Sequence, residues 1–122
     1  MTPNANAGLA IGASLLGVKP ITQFSTYSNA LQSIDHIVNS SAKLRYMSAG
    51  ILAGAPIFRS QNGFVEGYGA QNTQCFAAWY GSIPGLITIA PYDAEDYQGL
   101  LRTAIKSQDP VVILEDLSTF NE

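Results

Sequence analysis

Four short apolar, β-branched runs alternate with longer segments of helical period, and this alternation constrains the chain more than any other feature of it. The runs are Lys19–Phe24, Ala55–Arg59, Leu86–Ala90 and Val111–Glu115. Parallel neighbours need a long crossover, and a parallel sheet needs cover on both faces. The pattern therefore implies an α/β domain with a mainly parallel sheet and helices on both faces. At 122 residues the chain holds one domain at most.

The clearest expected helix runs from about Tyr27 to Lys43, with Tyr27, Ala30, Leu31, Ile34, Ile37, Val38 and Ala42 on one stripe. A second is expected from Ala94 to Ser107. Asp93 is its N-cap and Asp96 its capping-box acid, and Tyr97, Leu100, Leu101, Ala104 and Ile105 form its buried stripe. Glu95 and Asp96 suit the positive end of its dipole and Lys106 the negative end. Asp109-Pro110 ends it, because the residue before proline disfavours helical geometry. A third is expected over Ala7–Gly17. There Gly8, Gly12 and Ala13 make a flat face that suits tight packing and a subunit contact equally.

Charged residues are only 12% of the chain, against roughly 25% in an ordinary soluble domain. Apolar content is 47%, so the shortage of charge points to surface covered by partner subunits, or to a piece of a larger fold. The net charge is -3, and seven of the nine acids follow residue 90; those at the start of the second helix are explained by capping rather than by a paired-carboxylate site. The six basic residues are scattered, which excludes a nucleic-acid stripe. A single cysteine, Cys75, excludes an internal disulfide and a Cys-rich zinc site, and reads as a buried small hydrophobe. His36, the one histidine, has no carboxylate pattern around it and reads as a surface residue rather than a ligand or base.

The first cation is Lys19, so there is no basic n-region, and no transit peptide is visible. The apolar run Ala7–Val18 is too short to span a bilayer, so no membrane role is expected. Between Arg59 and Ala70 lies a loop bearing Asn62, Gly63, Gly67 and Gly69, which matches neither phosphate-binding nor dinucleotide-binding patterns. The aromatic run Cys75–Tyr80 would serve as core or as interface anchor.

Four segments together carry a resemblance: "SIDHIVNSSAKLRYMSAG" (Ser33–Gly50), "FRSQNG" (Phe58–Gly63), "GAQNTQCFAAWYGSIPGL" (Gly69–Leu86) and "PYDAEDYQGLLRTAIKSQDPVVILE" (Pro91–Glu115). They resemble the beta subunit of pyruvate dehydrogenase, from Gly8 to Glu115 without an obvious gap. The aromatic run and "YGSIPGL" favour the pyruvate enzyme over its branched-chain relative. The resemblance implies a transketolase-like pyrimidine-binding domain, here expected to lack its N-terminal strand and helix and the C-terminal domain that follows. A sheet short of a strand is expected not to fold alone.

The family decarboxylates pyruvate with thiamine diphosphate and passes acetyl to lipoyl groups. The cofactor is the electron sink. A beta-subunit glutamate shares a proton with the aminopyrimidine, which favours the tautomer that forms the ylide. That glutamate lies five residues before a Gly-Φ-x-x-Gly pattern, which here is Gly8-Leu9-Ala10-Ile11-Gly12. The corresponding residue is Pro3, and no acid precedes Asp35. The aromatic residue that packs on the pyrimidine corresponds to Asn29. The active-site histidine, which follows a glutamine, corresponds to Asn72 after Gln71. Neither asparagine is an acid or base near neutral pH. Asn29, Gln71 and Asn72 are thus the cofactor-binding positions, with no catalytic residue retained.

The family also holds a structural potassium ion, mainly by backbone carbonyls. Its positions correspond to Pro56, Ala104, Ile105, Ser107 and Asp109, with an acid missing at Ser107. The implied partners are an alpha subunit and a second beta-type chain, in the mitochondrial matrix if the source is eukaryotic. Four readings follow: a non-catalytic structural or regulatory subunit, a truncated non-functional gene copy, an enzyme subunit whose ends are mis-called, or a stand-alone small-molecule binding domain, against which the missing strand counts. Asn29 and Asn72 are internal, so different chain ends would not rescue the third.

Overall fold

A computed structural model describes residues 2–64 and 67–121. The four expected strands form one parallel sheet in the order β1-β2-β4-β3. Their ranges are β1 Ile21–Gln23, β2 Ile57–Gln61, β3 Ile87–Ile89 and β4 Val111–Glu115. Ile57 and Ile87 both stand opposite Val111, which fixes the register on either side of β4. All five residues of β4 are buried, as expected of a central parallel strand. The edge strands are not: Ile21 is 45% and Ile87 41% exposed.

The helices are α1 Pro3–Leu15, α2 Tyr27–Ala30, α3 Leu44–Met47, α4 Gly69–Asn72, α5 Ala77–Gly81 and α6 Ala94–Lys106. Because strand side chains alternate, the sheet has two apolar faces. Phe24, Phe58, Val112 and Leu114 pack with Ala7 and Ile11 of α1, Tyr27 and Ala30 of α2, Ile37, Phe76 and Tyr80. Ile57, Val111 and Ile113 pack on the other face against Ala104, Tyr97 and Leu101 of α6, with Ile89. Helices therefore lie on both faces, and the chain itself supplies the cover that β2 and β4 need. A cooperative unfolding transition of the chain alone is thus predicted, against the expectation from a missing strand.

The expected continuous helix over Tyr27–Lys43 is corrected. After α2 the chain makes a 3-10 turn, Leu31–Ser33, and then a π-helix, His36–Ser41. The wider turn is marked by the Ala42 N–H donating to the Ile37 carbonyl at 3.1 Å. Changing the residues per turn rotates the buried face. Ser33 and Ser41 are buried, at 0% and 3% exposure, while Ile34 and Val38 are only half-buried. Gly85 is required beside the end of this segment. Its φ is +92°, and a Cβ there would collide with the Ala42 carbonyl oxygen.

Helix α6 keeps its expected bounds and cap, but its expected buried stripe is corrected: Ala104 is buried, Tyr97, Leu100 and Leu101 are half-buried, and Ile105 lies at the exposed margin. The Asp93 carboxylate accepts from the Asp96 N–H at 2.8 Å, which caps the first turn. His36 is half-buried rather than a free surface residue: its ring lies over Gly8 of α1, and Nδ1 is 3.4 Å from Ser40 Oγ. Gly8 thus admits a side chain, while Gly12 faces open space. Among the described residues no helix is long and apolar enough to cross a membrane.

Candidate functional site

In an open parallel sheet, ligands meet the loops beyond the carboxyl ends of the strands. Three segments bearing sequence-predicted positions reach that edge. α2 follows β1, and α4 follows β2. α1 runs back along β1, with Ser14 near its C-terminus beside Gly54, close to the start of β2. Its other end, carrying Pro3, therefore lies toward the carboxyl edge. α2 packs against both α1 and α4, so the elements that carry Pro3, Asn29, Gln71 and Asn72 adjoin.

Each residue at this edge has a local structural role. Pro3 is the first residue of α1, where its missing N–H leaves no bond unmade. Asn29 is half-buried, and its Nδ2 donates to Ser25 Oγ at 2.7 Å. Its backbone N–H donates to the Thr26 hydroxyl, which caps α2. Gln71 is exposed and Asn72 half-buried at the end of α4. Tyr27, two residues before Asn29, is fully buried, and its hydroxyl lies 3.0 Å from the carbonyl oxygens of both Phe58 and Ile113. Burial holds its phenol well above the usual pKa, and Tyr80 and Glu115 add to the shift.

The aromatic run divides between core and surface. Phe76 and Tyr80 are buried, while Trp79 is 56% exposed and meets Phe76 edge-on at 5.4 Å. Cys75 is exposed, a correction to its reading as a buried hydrophobe. Asn62 accounts for this: its Oδ1 accepts the Phe76 N–H at 2.8 Å, and its Nδ2 donates to Cys75 Sγ at 3.2 Å. The loop asparagine thereby draws the start of the aromatic run to the surface end of β2.

A buried polar cluster at the same edge has no counterpart among the sequence expectations. Glu115, 2% exposed, accepts from Arg59 Nε at 2.6 Å and from the Tyr97 hydroxyl at 2.7 Å through one oxygen. The Arg59 guanidinium also lies over the Tyr97 ring, 5.4 Å from its centre. Burial and the carboxylate together hold the Tyr97 phenol up. The only sequence signal was an acid closing an otherwise apolar strand.

The positions implied for potassium lie at the opposite edge, where β2 and β4 begin. The Pro56 carbonyl accepts the Val111 N–H at 3.1 Å, and the Ala104 carbonyl accepts the Ser107 N–H at 3.2 Å. The Asp109 carbonyl accepts the Ser107 hydroxyl at 3.1 Å. The Ser107 carbonyl accepts the Lys19 ammonium at 2.7 Å. Ile105 is 45% exposed on α6. Asp109 also pairs with Arg45 at 2.7 Å. Beside them is a mostly apolar cleft of about 800 Å³, whose lining includes Ser41, Ala42, Tyr46, Gly85 and Pro110. No group of three or more His, Cys, Asp or Glu side chains that could hold a metal occurs among the described residues.

The sequence matches the transketolase pyrimidine-binding domain over residues 4–120. The chain belongs to this family. It is 50% identical over 115 residues to the mitochondrial pyruvate dehydrogenase E1 component subunit beta-1 of Arabidopsis thaliana, covering 94% of this chain and 32% of that protein. It is 54% identical over 110 residues to the corresponding beta subunit of Chaetomium thermophilum, covering 90% of this chain and 29% of that protein. The chain thus spans about a third of the length of these relatives. Among solved structures, a split-gene transketolase described as an inactive beta4 tetramer superposes with a TM-score of 0.75 at 18% identity, over 93% of this chain and 34% of that one. That likeness concerns the fold. The resemblance to pyruvate dehydrogenase beta subunits and the parallel α/β architecture are both borne out.

Proposed function

We propose that this chain is a pyruvate dehydrogenase beta-type pyrimidine domain that assembles with an alpha subunit and a second beta-type chain but supplies no acid–base chemistry of its own. The observation that carries this reading is the adjoining of α1, α2 and α4 at the carboxyl edge of the sheet, with Pro3, Asn29 and Asn72 on them. Thiamine diphosphate needs a carboxylate there to share its pyrimidine proton. The first turn of α1 has no acid, and the Asn29 amide is already bonded to Ser25. The side chains present do not fit activation of that cofactor, and no step is assigned through it.

Assembly is supported by the surface. Leu16, Tyr46, Ile51, Phe64 and Tyr92 are each more than three-quarters exposed, and large apolar and aromatic side chains of this kind are what a partner surface would cover. The alternative of a truncated gene copy has no such observation in its favour. The relatives' names place them in mitochondria, and the same compartment is proposed here.

The test is co-expression with a pyruvate dehydrogenase alpha subunit, purification, and a thiamine-diphosphate-dependent pyruvate decarboxylation assay. A stable, inactive complex is expected. Turnover by the unmodified chain would overturn the inactive reading, and failure to form any complex would overturn the assembly reading. Pro3→Glu, Asn29→Phe and Asn72→His together are the changes expected to be needed for activity.

A further inference from the structure

The carbonyl cluster where β2 and β4 begin already has a cation. Lys19, in the stretch between α1 and β1, places its ammonium 2.7 Å from the Ser107 carbonyl oxygen. Ser107 is the C-cap of α6, whose last carbonyls carry the negative end of the helix dipole. A monovalent cation is favoured at such a place, and an ammonium is a compact point charge that can fill it. Three of the other implied carbonyls are bonded too: Pro56 to Val111, Ala104 to Ser107, and Asp109 to the Ser107 hydroxyl.

The charge count points the same way. Asp109 is the one carboxylate named in this cluster, and Arg45 already pairs with it at 2.7 Å. With Lys19 added, the locus carries two cations against one anion before any ion arrives. Ser107 offers a hydroxyl rather than a further negative charge. A potassium ion at these carbonyls would sit against the Lys19 ammonium with no free carboxylate to offset the repulsion.

We propose that the Lys19 ammonium is the resident monovalent cation of this locus, so that the chain carries covalently the charge that its relatives are expected to take up as potassium. The side chain joins the entry of β1 to the end of α6 and to the segment leading into β4. That is the structural task a bound ion would perform.

The experiment is thermal unfolding of the full chain, unmodified and as Lys19→Met, in potassium, sodium or choline chloride at equal concentration. The unmodified chain is expected to melt at the same temperature in all three salts. Lys19→Met is expected to melt lower and to regain stability in potassium over choline. A potassium-specific rise for the unmodified chain overturns the proposal, and so does a Lys19→Met chain as stable as the original. If the variant does not fold, thallium-205 NMR on the unmodified chain decides, with thallium(I) as the potassium surrogate. No bound resonance that potassium competes away is expected, and such a resonance overturns the proposal.

Discussion

Glu115→Gln tests whether the buried carboxylate ties β4 to β2 and to α6. One oxygen accepts from Arg59 at 2.6 Å and from Tyr97 at 2.7 Å, and the side chain is 1% exposed. A hydrogen bond to a charged group contributes about 1.5–3 kcal/mol, against about 1 kcal/mol between neutral groups. Glutamine keeps an acceptor oxygen but no charge, so each of the two bonds weakens by about 1 kcal/mol. Arg59 also loses its counter-ion. Its side chain is 26% exposed, so water offsets part of that loss. The expected cost is about 2–3 kcal/mol, just below the range for breaking a fully buried pair. That corresponds to a fall of roughly 10 °C in melting temperature. Urea unfolding followed by far-UV circular dichroism reads it. The double variant Arg59→Met with Glu115→Met leaves no uncompensated charge and should recover most of the loss. A Glu115→Gln change of less than ~0.5 kcal/mol, or a double variant as unstable as the two single changes added together, would refute the reasoning.

Tyr80 packs against Tyr27 with the rings tilted and their centres 5.4 Å apart, yet its buried hydroxyl has no partner among the described residues. Tyr80→Phe should therefore stabilise the chain by about 1 kcal/mol, and a loss of stability in urea unfolding would reveal a partner. Burial pushes the Tyr80 phenol up to about 12 from an ordinary 10.0. Ionisation is thus penalised in the folded state only, so this group leaves stability level below about pH 10 and lowers it as pH rises toward 12. Tyr80→Phe should flatten that alkaline fall, and an unchanged pH profile would count against it. Asp93→Ala should cost about 1 kcal/mol by removing the cap of α6, and Asp93→Asn, which keeps an acceptor, should restore most of it.

The strands were legible because β-branched runs bounded by proline and glycine have few other uses, and α6 because its cap and stop agree, although Ile105 of its expected stripe is exposed. The segment after β1 was legible only in part. Its apolar stripe has helical period, and nothing in that stripe announces a π-turn at His36–Ser41. Ser33 and Ser41 were unreadable as core because a buried serine is sequentially indistinguishable from a surface one. Cys75 was misread because composition ranks residue types by average burial, while its position is set by one side chain, Asn62, in another loop. Lys19 and Ser107 are 88 residues apart, so their contact has no local signature. The candidate site was the reverse case. Its positions came from resemblance alone, and the structure adds that the elements carrying them adjoin.

Helix α2 shows how the fold and the proposed loss of chemistry coexist. Tyr27 faces the core and bonds the carbonyls of β2 and β4, so a change there would unfasten the helix from the sheet. Asn29 lies two residues on, about 200° around the helix, on the side away from that contact. Its amide bonds only to Ser25, within its own turn. Pro3 is likewise harmless to the fold, because proline suits the first position of a helix. Asn72 ends a four-residue helix, and none of that helix is buried. The three positions on which the cofactor chemistry would depend are therefore among those that packing constrains least. Such a chain can lose the chemistry and keep the surfaces by which it assembles, because different residues of the same helices carry each.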